Sequence, residues 1–489
     1  MFELNSAGAP PCEMSMYIGG QWVKGSSANR IEVENPSNEA CLGTVPEGTV
    51  PEAIEALEAA RRAQSSWRSL PAQSRASYVN KLADAVAADK QRLAHIVCLE
   101  QGKPLDQALG EIGATEGFLR YAAENARRIE GDIVPSDNAD EEIWIRNVPR
   151  GVVVGLTAWN YPSALVARKL GPALVAGNSF VLLSHENTPF SGLALAELAE
   201  SVGLPSGVFN VLTGYGRTVG KALVESELSD LVTMTGSTRA GKEIYASGAD
   251  QLKVLRLELG GKAPFIVMDD ANIDAAVAAA VTARYTNCGQ VCTCNERMYL
   301  HQRIADEFLE KFVLASKALR IGDPLMSPDL GPKISALEVD KVQKMVAAAE
   351  AAGDTFLLKG GPLNEGEFEK GHWYAPTVVE AANNNSPLIC SEVFAPVVPA
   401  LRVDSFEQAL AFANDSDYGL SAYVFTQDIR RMMSLSKQLN FGEIYFNRAN
   451  GEQFQGFHTG WKQSGLGGED GKYGFEGYMK KQTSYINWA

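Results

Sequence analysis

The chain has 489 residues, of which 45% are hydrophobic and 21% are charged, and its formal net charge at pH 7 is -15. This length and balance fit two or three globular domains and exclude a disordered chain. The acidic charge, without a long run of Lys or Arg, excludes a nucleic-acid partner, because phosphate binding requires a basic face.

Cysteine usage and the N-terminal stretch both predict a cytoplasmic protein. Seven cysteines, an odd number at low density, favour a reducing compartment over a disulfide framework. Residues 1–15 lack a basic segment followed by an apolar one, so no export signal is expected. No window holds the roughly 18 apolar residues that a bilayer-spanning helix needs, and we therefore expect no membrane partner.

The first third of the chain predicts a hairpin followed by long helices. The turn at Gly19-Gly20 indicates that residues 17–23 form one half of a hairpin, completed near residues 31–33. Apolar residues at helical spacing then predict three helices, which begin at Pro51, cover residues 74–98 and run from Leu105 to Ile129.

From Gly151 onward, short apolar strands alternate with helices, which is typical of a parallel, doubly wound α/β sheet. The expected strands are 151–158, 179–183, 208–213, 230–234 and 254–259. A second series predicts a second α/β domain, with a strand at 265–269, a helix at 272–286, a strand at 297–301 and a helix at 303–319.

Two segments stand apart from these series, residues 131–148 and the tail after Gly471. Both are short and strand-like. Because isolated hairpins are only marginally stable, we expect the two segments to pair with each other or with another subunit.

Three of the seven cysteines cluster in NCGQVCTC at residues 287–294. Packing in the core is one interpretation. A structural zinc is disfavoured, because zinc takes four ligands and the nearest histidine in sequence is His301. A nucleophilic thiol is the third interpretation, and it needs a base from another part of the fold.

Other polar residues stand where apolar strands end. Glu258, in LELGGK, is either a paired buried carboxylate or a functional one. For Asn160, in AWNYP, the simplest interpretation is a helix N-cap, with Pro162 beginning the helix. The turn TGS at 235–237 would present backbone N–H groups to a phosphate. Glu243 stands where a P-loop has Ser or Thr, which disfavours an NTPase.

Six motifs follow the order and approximate spacing of the NAD(P)-dependent aldehyde dehydrogenase superfamily, which the chain resembles over nearly its whole length. They are WNYP at 159–162, KLGPALVAGN at 169–178, TGS at 235–237, ELGGK at 258–262, NCGQVC at 287–292 and EVFAPV at 392–397. The resemblance implies an α/β fold with three parts: a Rossmann-type cofactor domain (1–130 and 149–258), a catalytic α/β domain (259–470) and a small β oligomerisation arm (131–148 and 471–489).

The resemblance also implies a thioester mechanism. The Cys292 thiolate attacks the aldehyde, and the oxyanion is held by the Asn160 side-chain amide and the Cys292 backbone N–H. Hydride passes to the nicotinamide, and Glu258 activates the water that hydrolyses the thioester. Lys169 would lie near the oxyanion, and cofactor contacts are implied for Trp159, Glu186, Gly236, Ser237, Leu259, Glu392 and Phe394.

The cofactor site departs from the superfamily pattern after the second strand. The usual Lys-Pro-Ser-Glu is replaced by Leu-Ser-His-Glu at 183–186, so Leu183 stands where a lysine holds the ribose. Glu186 is kept, and its carboxylate should repel the 2′-phosphate of NADP while accepting hydrogen bonds from the ribose of NAD. We therefore expect NAD as cofactor, with weaker binding than usual.

Arg168 and His458 occupy substrate-pocket positions that are aromatic in many members. A buried Arg168 needs a partner, either a protein carboxylate such as Glu452 or the substrate itself. His458 is either a core histidine or a pocket residue. With the tail FGEIYFNRANGEQFQGFHTGW, these residues most resemble bacterial lactaldehyde and glycolaldehyde dehydrogenases, which predicts a short polar aldehyde as substrate. A carboxylate-bearing aldehyde such as succinate semialdehyde is one alternative, and an inactive structural or binding paralogue is another.

The resemblance assigns different roles to the three clustered cysteines and implies an oligomer. Cys292 is the nucleophile and Cys288 a packing residue, whereas Cys294 either packs or forms a protective disulfide under oxidation. Residues 131–148 and the tail KKQTSYINW match segments that join subunits, so we expect a homodimer or homotetramer.

Overall fold

The structure is a computed structural model that describes residues 12–489. The expectation about an export signal falls largely on residues 1–11, which lie outside this range. Among residues 12–489, no helix is long and apolar enough to cross a membrane. The helices are Val50–Ser69, Ala72–Ala88, Lys90–Gln101, Leu105–Glu124, Ala164–Ala176, Pro189–Ser201, Lys221–Glu225, Thr238–Ser247, Ile273–Tyr285, Gln302–Lys317, Ala336–Ala351, Pro387–Cys390, Phe406–Asn414, Ile429–Gln438 and Gly471–Glu476.

The first large sheet has eight strands, of which the five central ones run parallel. The parallel part begins at the central strand Val152–Leu156, continues through Ser179–Leu183 and Phe209–Leu212 on one side, and then adds Leu231–Thr235 and Val254–Glu258 on the other. This order confirms the doubly wound prediction. The direction reverses between Val152–Leu156 and Leu231–Thr235, where α/β sheets bind ligands. In spatial order the strands are Gly465–Leu466, Val254–Glu258, Leu231–Thr235, Val152–Leu156, Ser179–Leu183, Phe209–Leu212, Met16–Ile18 and Gln21–Val23.

The second large sheet has seven strands and forms the other α/β unit, as predicted. All neighbours are parallel except the edge pair Thr355–Leu358 and Thr377–Glu380. A continuous apolar core lies between this sheet and the helices Ile273–Tyr285 and Gln302–Lys317. In spatial order the strands are Thr355–Leu358, Thr377–Glu380, Val397–Val403, Asn295–His301, Ala263–Val267, Ser421–Phe425 and Glu443–Phe446.

The N-terminal predictions need two corrections. The hairpin closes within residues 16–23, because Met16–Ile18 pairs with Gln21–Val23 directly across Gly19-Gly20. Residues 31–33 belong instead to a small sheet of the strands Cys12–Glu13, Arg30–Asn35 and Ala40–Pro46. Residues 74–98 form two helices, since the backbone at Asp89 leaves the helical region with φ -104° and ψ 18°.

The two detached segments pair with each other in a three-stranded antiparallel sheet, which we call the arm. Its strands are Gly131–Pro135, Glu141–Pro149 and Met479–Asn487. The tail is not strand-like from its start, because Gly471–Glu476 is a helix that buries Phe475 in the core of the first domain. Two further ribbons pair Gly361–Leu363 with Trp373–Ala375 and Tyr418–Gly419 with Trp461–Lys462.

Candidate active site

An unusual turn carries Cys292 to the wall of a cavity. Asn287 and Cys288 adopt left-handed φ angles of 50° and 57°, and Gly289 follows with φ 72°. Such angles are uncommon for residues other than glycine and are held by surrounding contacts. Here Arg284 donates from Nη2 to the Gly289 carbonyl at 2.9 Å. The turn ends the preceding helix and redirects the chain so that Cys292 faces the cavity.

The other two clustered cysteines face away from the cavity. Cys288 is buried in the apolar core of the second sheet, as expected for a packing residue. Cys294 is also buried, and its Sγ lies 3.9 Å from the carbonyl of Arg284. All three thiols are free. The packing interpretation therefore accounts for the position of Cys294.

Asn160 is joined to the cysteine loop by two hydrogen bonds. Its Nδ2 donates to the Gln290 carbonyl at 3.0 Å, and its own carbonyl accepts from Asn287 Nδ2 at 3.0 Å. Lys103 Nζ donates to the same carbonyl at 2.8 Å. An amide nitrogen has two N–H donors, so one remains for an oxyanion beside Cys292.

Asn160 is not a helix N-cap, contrary to its simplest interpretation. The helix Ala164–Ala176 begins after an additional turn, and its N-cap residue is Ser163. The Glu111 carboxylate accepts from the backbone N–H groups of Ser163 and Ala164 at 2.8 and 3.2 Å. Because Glu111 satisfies these donors, the Asn160 side chain stays available to the cavity.

Glu258 is a buried, hydrogen-bonded carboxylate, as its first interpretation expects, and it also lines the cavity. Its Oε1 lies 3.3 Å from His458 Nε2, whereas its Oε2 has no hydrogen-bond partner among residues 12–489. Burial would raise the pKa of Glu258, but the hydrogen bond and charge of His458 outweigh burial and lower that pKa. The carboxylate is therefore ionised at neutral pH and has one free oxygen.

His458 is buried behind Glu258 and does not line the cavity wall. Its Nδ1 lies 3.1 Å from Glu443 Oε2, an ion-pair contact without hydrogen-bond alignment. Burial and the charge of Arg168 would lower the pKa of His458. The two carboxylates and a hydrogen bond to Cys292 outweigh these effects and raise the pKa well above its usual value. The imidazole is therefore cationic.

The Cys292 thiol, the Glu258 carboxylate and the His458 imidazole offer atoms within 4.8 Å of one another. Burial and the charge of Glu258 raise the pKa of Cys292, and the contact with His458 opposes that rise. The resting group is therefore a thiol. The histidine nearest to the nucleophile in space is thus His458 rather than His301, the nearest in sequence.

One cavity of about 510 Å³ brings together most of the residues singled out in the sequence. It lies between the two large sheets, at the carboxyl ends of strands of the first sheet and beside the amino ends of Ala263–Val267, Asn295–His301 and Val397–Val403 in the second. The predicted residues on its wall are Trp159, Asn160, Arg168, Gly236, Ser237, Glu258, Leu259, Cys292, Glu392, Phe394 and Glu452. Of the predicted site residues, Lys169, Glu186 and His458 do not reach this wall.

Lys169 and Glu186 lie apart from the cavity for different reasons. Lys169 is fully buried, and its Nζ binds Glu469 Oε1 at 2.9 Å and Thr233 Oγ1 at 3.2 Å. Glu186 lies on the turn after Ser179–Leu183, where its Oε2 is 3.6 Å from His185 Nδ1. That turn is at the carboxyl end of the first sheet, next to the reversal of strand order.

The partner of Arg168 is Asp470, not Glu452. Arg168 Nε donates to Asp470 Oδ1 at 2.9 Å, and Nη2 donates to Oδ2, so the contact is bidentate. Both side chains are at least nine-tenths buried. The helix that carries Arg168 packs against the segment that follows Gly468, which brings Asp470 closer than the cavity-rim residue Glu452.

The crevice at the strand-order reversal fits a dinucleotide. Thr235 Oγ1 is buried on the cavity wall without a hydrogen-bond partner among residues 12–489. Ser237 caps the helix Thr238–Ser247, whose first N–H groups form a site for a phosphate. Gly241 allows this helix to pack closely, since a Cβ there would lie 2.5 Å from Leu259. These features match a pyrophosphate turn.

Glu392 and Phe394 form the opposite side of this crevice. Glu392 Oε1 accepts from the Gly261 backbone N–H at 2.8 Å. Burial, and then the charge of Glu296, raise the pKa of Glu392 to about 7. Phe394 has a left-handed φ of 57°, and its ring lies edge-on to Trp159 with centroids 5.5 Å apart. The loop therefore presents one carboxyl group and one aromatic ring to the crevice.

Four residues that organise the site were not singled out in the sequence: Lys103, Glu111, Glu443 and Asp470. Lys103 and Glu111 form a buried ion pair with 2.5 Å between Nζ and Oε2. The only sequence signal for Asp470 is that two acidic residues, Glu469-Asp470, oppose the two basic residues Arg168-Lys169. Arg168 is 302 positions from Asp470, and Lys169 is 300 positions from Glu469, so nothing in the local sequence identifies them as partners.

Comparison with known proteins agrees with this geometry. The profile of the aldehyde dehydrogenase family matches residues 22–484. A 3,6-anhydro-α-L-galactose dehydrogenase of Vibrio sp. (strain EJY3) is 46% identical, with 97% of this chain and 99% of that protein covered. A lactaldehyde dehydrogenase of Escherichia coli (strain K12) is 40% identical, with 97% and 99% covered.

A solved structure of a 3,6-anhydro-L-galactose dehydrogenase in complex with NADP has a TM-score of 0.96 and 47% identity. It matches 97% of this chain and 100% of its own. The agreement over both α/β units and the arm confirms the superfamily, the fold class and the enzyme class expected from the motifs. The chain belongs to the aldehyde dehydrogenase family, whose members oxidise aldehydes to carboxylic acids with NAD or NADP.

Proposed function

We propose that this enzyme oxidises short hydroxyaldehydes, of the lactaldehyde and glycolaldehyde type, with NAD as the preferred cofactor. The observation that carries the proposal is that Arg168 and Glu452 both line the cavity that also holds Cys292. A guanidinium donates hydrogen bonds and a carboxylate accepts them, so together they match a hydroxyl group, which does both. The similarity to a lactaldehyde dehydrogenase supports the same substrate class.

In the proposed reaction, Glu258 first acts as a base towards Cys292. Its unpartnered Oε2 takes the thiol proton, and the thiolate forms a C–S bond to the aldehyde carbon. The charge that develops on the former carbonyl oxygen is stabilised by the free N–H of the Asn160 amide and by the Cys292 backbone N–H. Asn160 serves this purpose because Lys103 and Asn287 hold its backbone carbonyl in place.

Collapse of the thiohemiacetal on Cys292 restores the C=O bond and leaves a thioester. The nicotinamide cofactor, when bound, accepts the hydride that leaves the same carbon. Glu258 passes the thiol proton to solvent and, ionised again, takes a proton from the water whose oxygen attacks the thioester carbon. The C–S bond then breaks, the acid is released, and the Cys292 sulfur takes up the proton held by Glu258. Trp159, Ser237, Glu392 and Phe394 would hold the cofactor, because they line the crevice that continues into the same cavity.

The proposed preference for NAD depends on Glu186 and is independent of the proposed substrate. A carboxylate near the ribose repels a 2′-phosphate, which favours NAD. The nearby His185 is neutral at physiological pH, because burial lowers its pKa, and so it offers no charge to a 2′-phosphate. Leu183 is packed into the core beside Val219, so no side chain at that position reaches the ribose. The NADP complex of a similar enzyme makes this preference worth measuring.

A substrate and cofactor panel tests the proposal. We expect kcat/KM for glycolaldehyde and lactaldehyde to exceed that for hexanal and benzaldehyde by about tenfold or more. At saturating aldehyde, we expect kcat/KM for NAD to exceed kcat/KM for NADP. A Cys292→Ser variant, matched by a Cys288→Ser variant, should lose about a thousandfold or more in kcat, whereas the control retains activity. Equal turnover of apolar and hydroxylated aldehydes would contradict the substrate assignment.

A further inference from the structure

Arg168 places a guanidinium on the cavity wall, and the carboxylate of Asp470 already binds it. Asp470 accepts from Nε at 2.9 Å and also from Nη2, which is the geometry by which arginine binds a carboxylate ligand. The guanidinium carbon also lies 5.3 Å from the centre of the Phe118 ring, which lines the same cavity. Arg168 is therefore part of the cavity wall, and Asp470 binds it without lining the cavity itself.

Neighbouring residues anchor Asp470 in this position. Lys169 binds Glu469 Oε1 at 2.9 Å, so two successive cations on one helix pair with two successive carboxylates. The backbone of Glu469 also exchanges hydrogen bonds with that of His458, at 2.7 and 3.0 Å. The segment that carries Asp470 is thus tied to both Lys169 and His458, and the position of its carboxylate is defined.

The backbone conformation at residue 470 would favour glycine, so the presence of an aspartate there is explained by the contact that its side chain makes. Its φ is 62° and its ψ is 171°, a region in which residues other than glycine are strained. Glycine would adopt this conformation without strain. A strained aspartate persists where surrounding contacts over-determine it, and the contact that this residue makes is with Arg168.

The charges around Arg168 leave no free positive charge for a substrate anion. Asp470 balances the guanidinium, and the carboxylates of Glu258 and Glu452 lie on the same wall. The guanidinium still has N–H donors that Asp470 does not use, because it has five. Such donors on a neutralised pair suit an uncharged hydroxyl group. A substrate carboxylate would be desolvated beside negative charge and left without a cation.

We propose that Asp470 is a specificity-determining residue, which excludes carboxylate-bearing aldehydes by occupying Arg168. This inference rests on the proposed function, since it assumes oxidation in the cavity at Cys292. It predicts that removal of the Asp470 carboxylate exposes a binding site for the carboxylate of a four- or five-carbon semialdehyde. Asp470 acts here through Arg168, which is the group that would touch the substrate.

The test compares two aldehydes of equal length, succinate semialdehyde and its neutral amide. We expect the ratio of kcat/KM, anion to amide, to rise about tenfold or more in Asp470→Gly, through a lower KM for the anion. Glycine suits the backbone at this position, and Asp470→Asn keeps the volume while removing the charge. Glu39→Gly is a matched control, because Glu39 is an exposed acid with φ 60°. Its ratio should equal that of the parent.

Direct binding separates this inference from the proposed function. Calorimetry should detect succinate binding to Asp470→Gly but not to the parent, and the double variant with Arg168→Leu should lose both the binding and the gain in ratio. Ratios within twofold of the parent in both Asp470 variants would overturn the inference. Parent preference for the anion over the amide would overturn it as well. If the parent oxidised no hydroxyaldehyde while the Asp470→Gly ratio still rose, the proposed function alone would fail.

Discussion

His458 contacts two carboxylates and a thiol, and its positive charge stabilises the carboxylates. The buried Glu258 carboxylate and the half-buried Glu443 carboxylate lie close to its two ring nitrogens, and the Cys292 thiol is the third neighbour. A cationic imidazole offsets the cost of burying the two carboxylates. It also keeps Glu258 ionised, which is the form that can act as a base. The histidine therefore acts as a positioning residue for the proposed base.

Replacement of His458 by Gln should move the pH profile of turnover. The pKa of Glu258 is lowered by His458 against the effect of burial, so loss of the imidazolium should raise it. Because Glu258 acts in its ionised form, the acidic limb of kcat against pH should shift upward by about one unit or more. His372→Gln is the control, because His372 pairs with Glu34 at 2.6 Å far from the cavity. An unchanged acidic limb would rule out this role for His458.

At the scale of elements, Glu296 joins the two sides of the cavity. It lies at the start of the strand Asn295–His301 and binds Lys262 Nζ at 2.7 Å and Arg284 Nη1 at 3.1 Å. It also accepts from the backbone N–H groups of residues 393 and 394, at 2.8 and 3.0 Å. One buried carboxylate thus connects the ELGGK turn, the helix before Cys292 and the loop that carries Phe394.

Replacement of Glu296 by Gln should destabilise the fold in a pH-dependent way. Removal of one partner of a buried ion pair costs about 3–5 kcal/mol, because the cations remain buried without compensation. Burial would raise the pKa of Glu296, but its two cations lower it to about 2. This stabilisation is therefore present above the ordinary carboxyl range and is lost as pH falls towards 2.

Urea unfolding between pH 3 and pH 7 measures this difference. The difference in the free energy of unfolding between the parent and Glu296→Gln should be largest near pH 6. It should become smaller below about pH 4.5. Glu350→Gln is the matched control, since Glu350 forms an exposed ion pair with Lys359 and should change stability by less than about 1 kcal/mol. A gap of the same size at both ends of the range would contradict the assignment to the Glu296 carboxylate.

At the scale of the whole molecule, we propose the division into domains that the motifs predict. Residues up to 130 together with 149–258 would hold the cofactor, and residues 259–470 would carry the nucleophile. The arm, which lies within 131–148 and 471–489, projects large apolar side chains into solvent. Ile133 is 70% exposed, Tyr485 is 68% exposed and Trp488 is 57% exposed. Apolar residues on a small sheet with open edges favour association with another copy of the chain.

We expect this association to give a homodimer or homotetramer. Sedimentation velocity of the 52.7 kDa chain should report twice or four times that mass. Ile133→Lys should shift the distribution towards smaller species, because it introduces a charge at the proposed contact. Leu337→Lys is the control, since Leu337 is 80% exposed on a helix away from the arm. A parent protein that sediments as a monomer would contradict the proposal.

Features that depend on neighbouring residues could be predicted from the amino-acid sequence. The alternation of apolar strands and helices predicted both large sheets, because periodicity depends on residues a few positions apart. The motifs around Asn160, Glu258 and Cys292 predicted one site, and all three line the same cavity. One local prediction was wrong. Helical spacing continued across Asp89, so the pattern predicted one helix where the structure has two.

The pairing of charges that are far apart in the sequence became visible in the folded chain. Arg168 meets Asp470 across 302 positions, and Glu258 meets His458 across 200. The chain has 59 acidic residues, and sequence separation does not distinguish a buried partner from a solvated one. Burial makes the choice, because a charge removed from water needs the counter-charge that the packing of elements brings within reach. The motifs could therefore predict that Asn160, Glu258 and Cys292 share one cavity, whereas the partner that neutralises Arg168 could not be predicted.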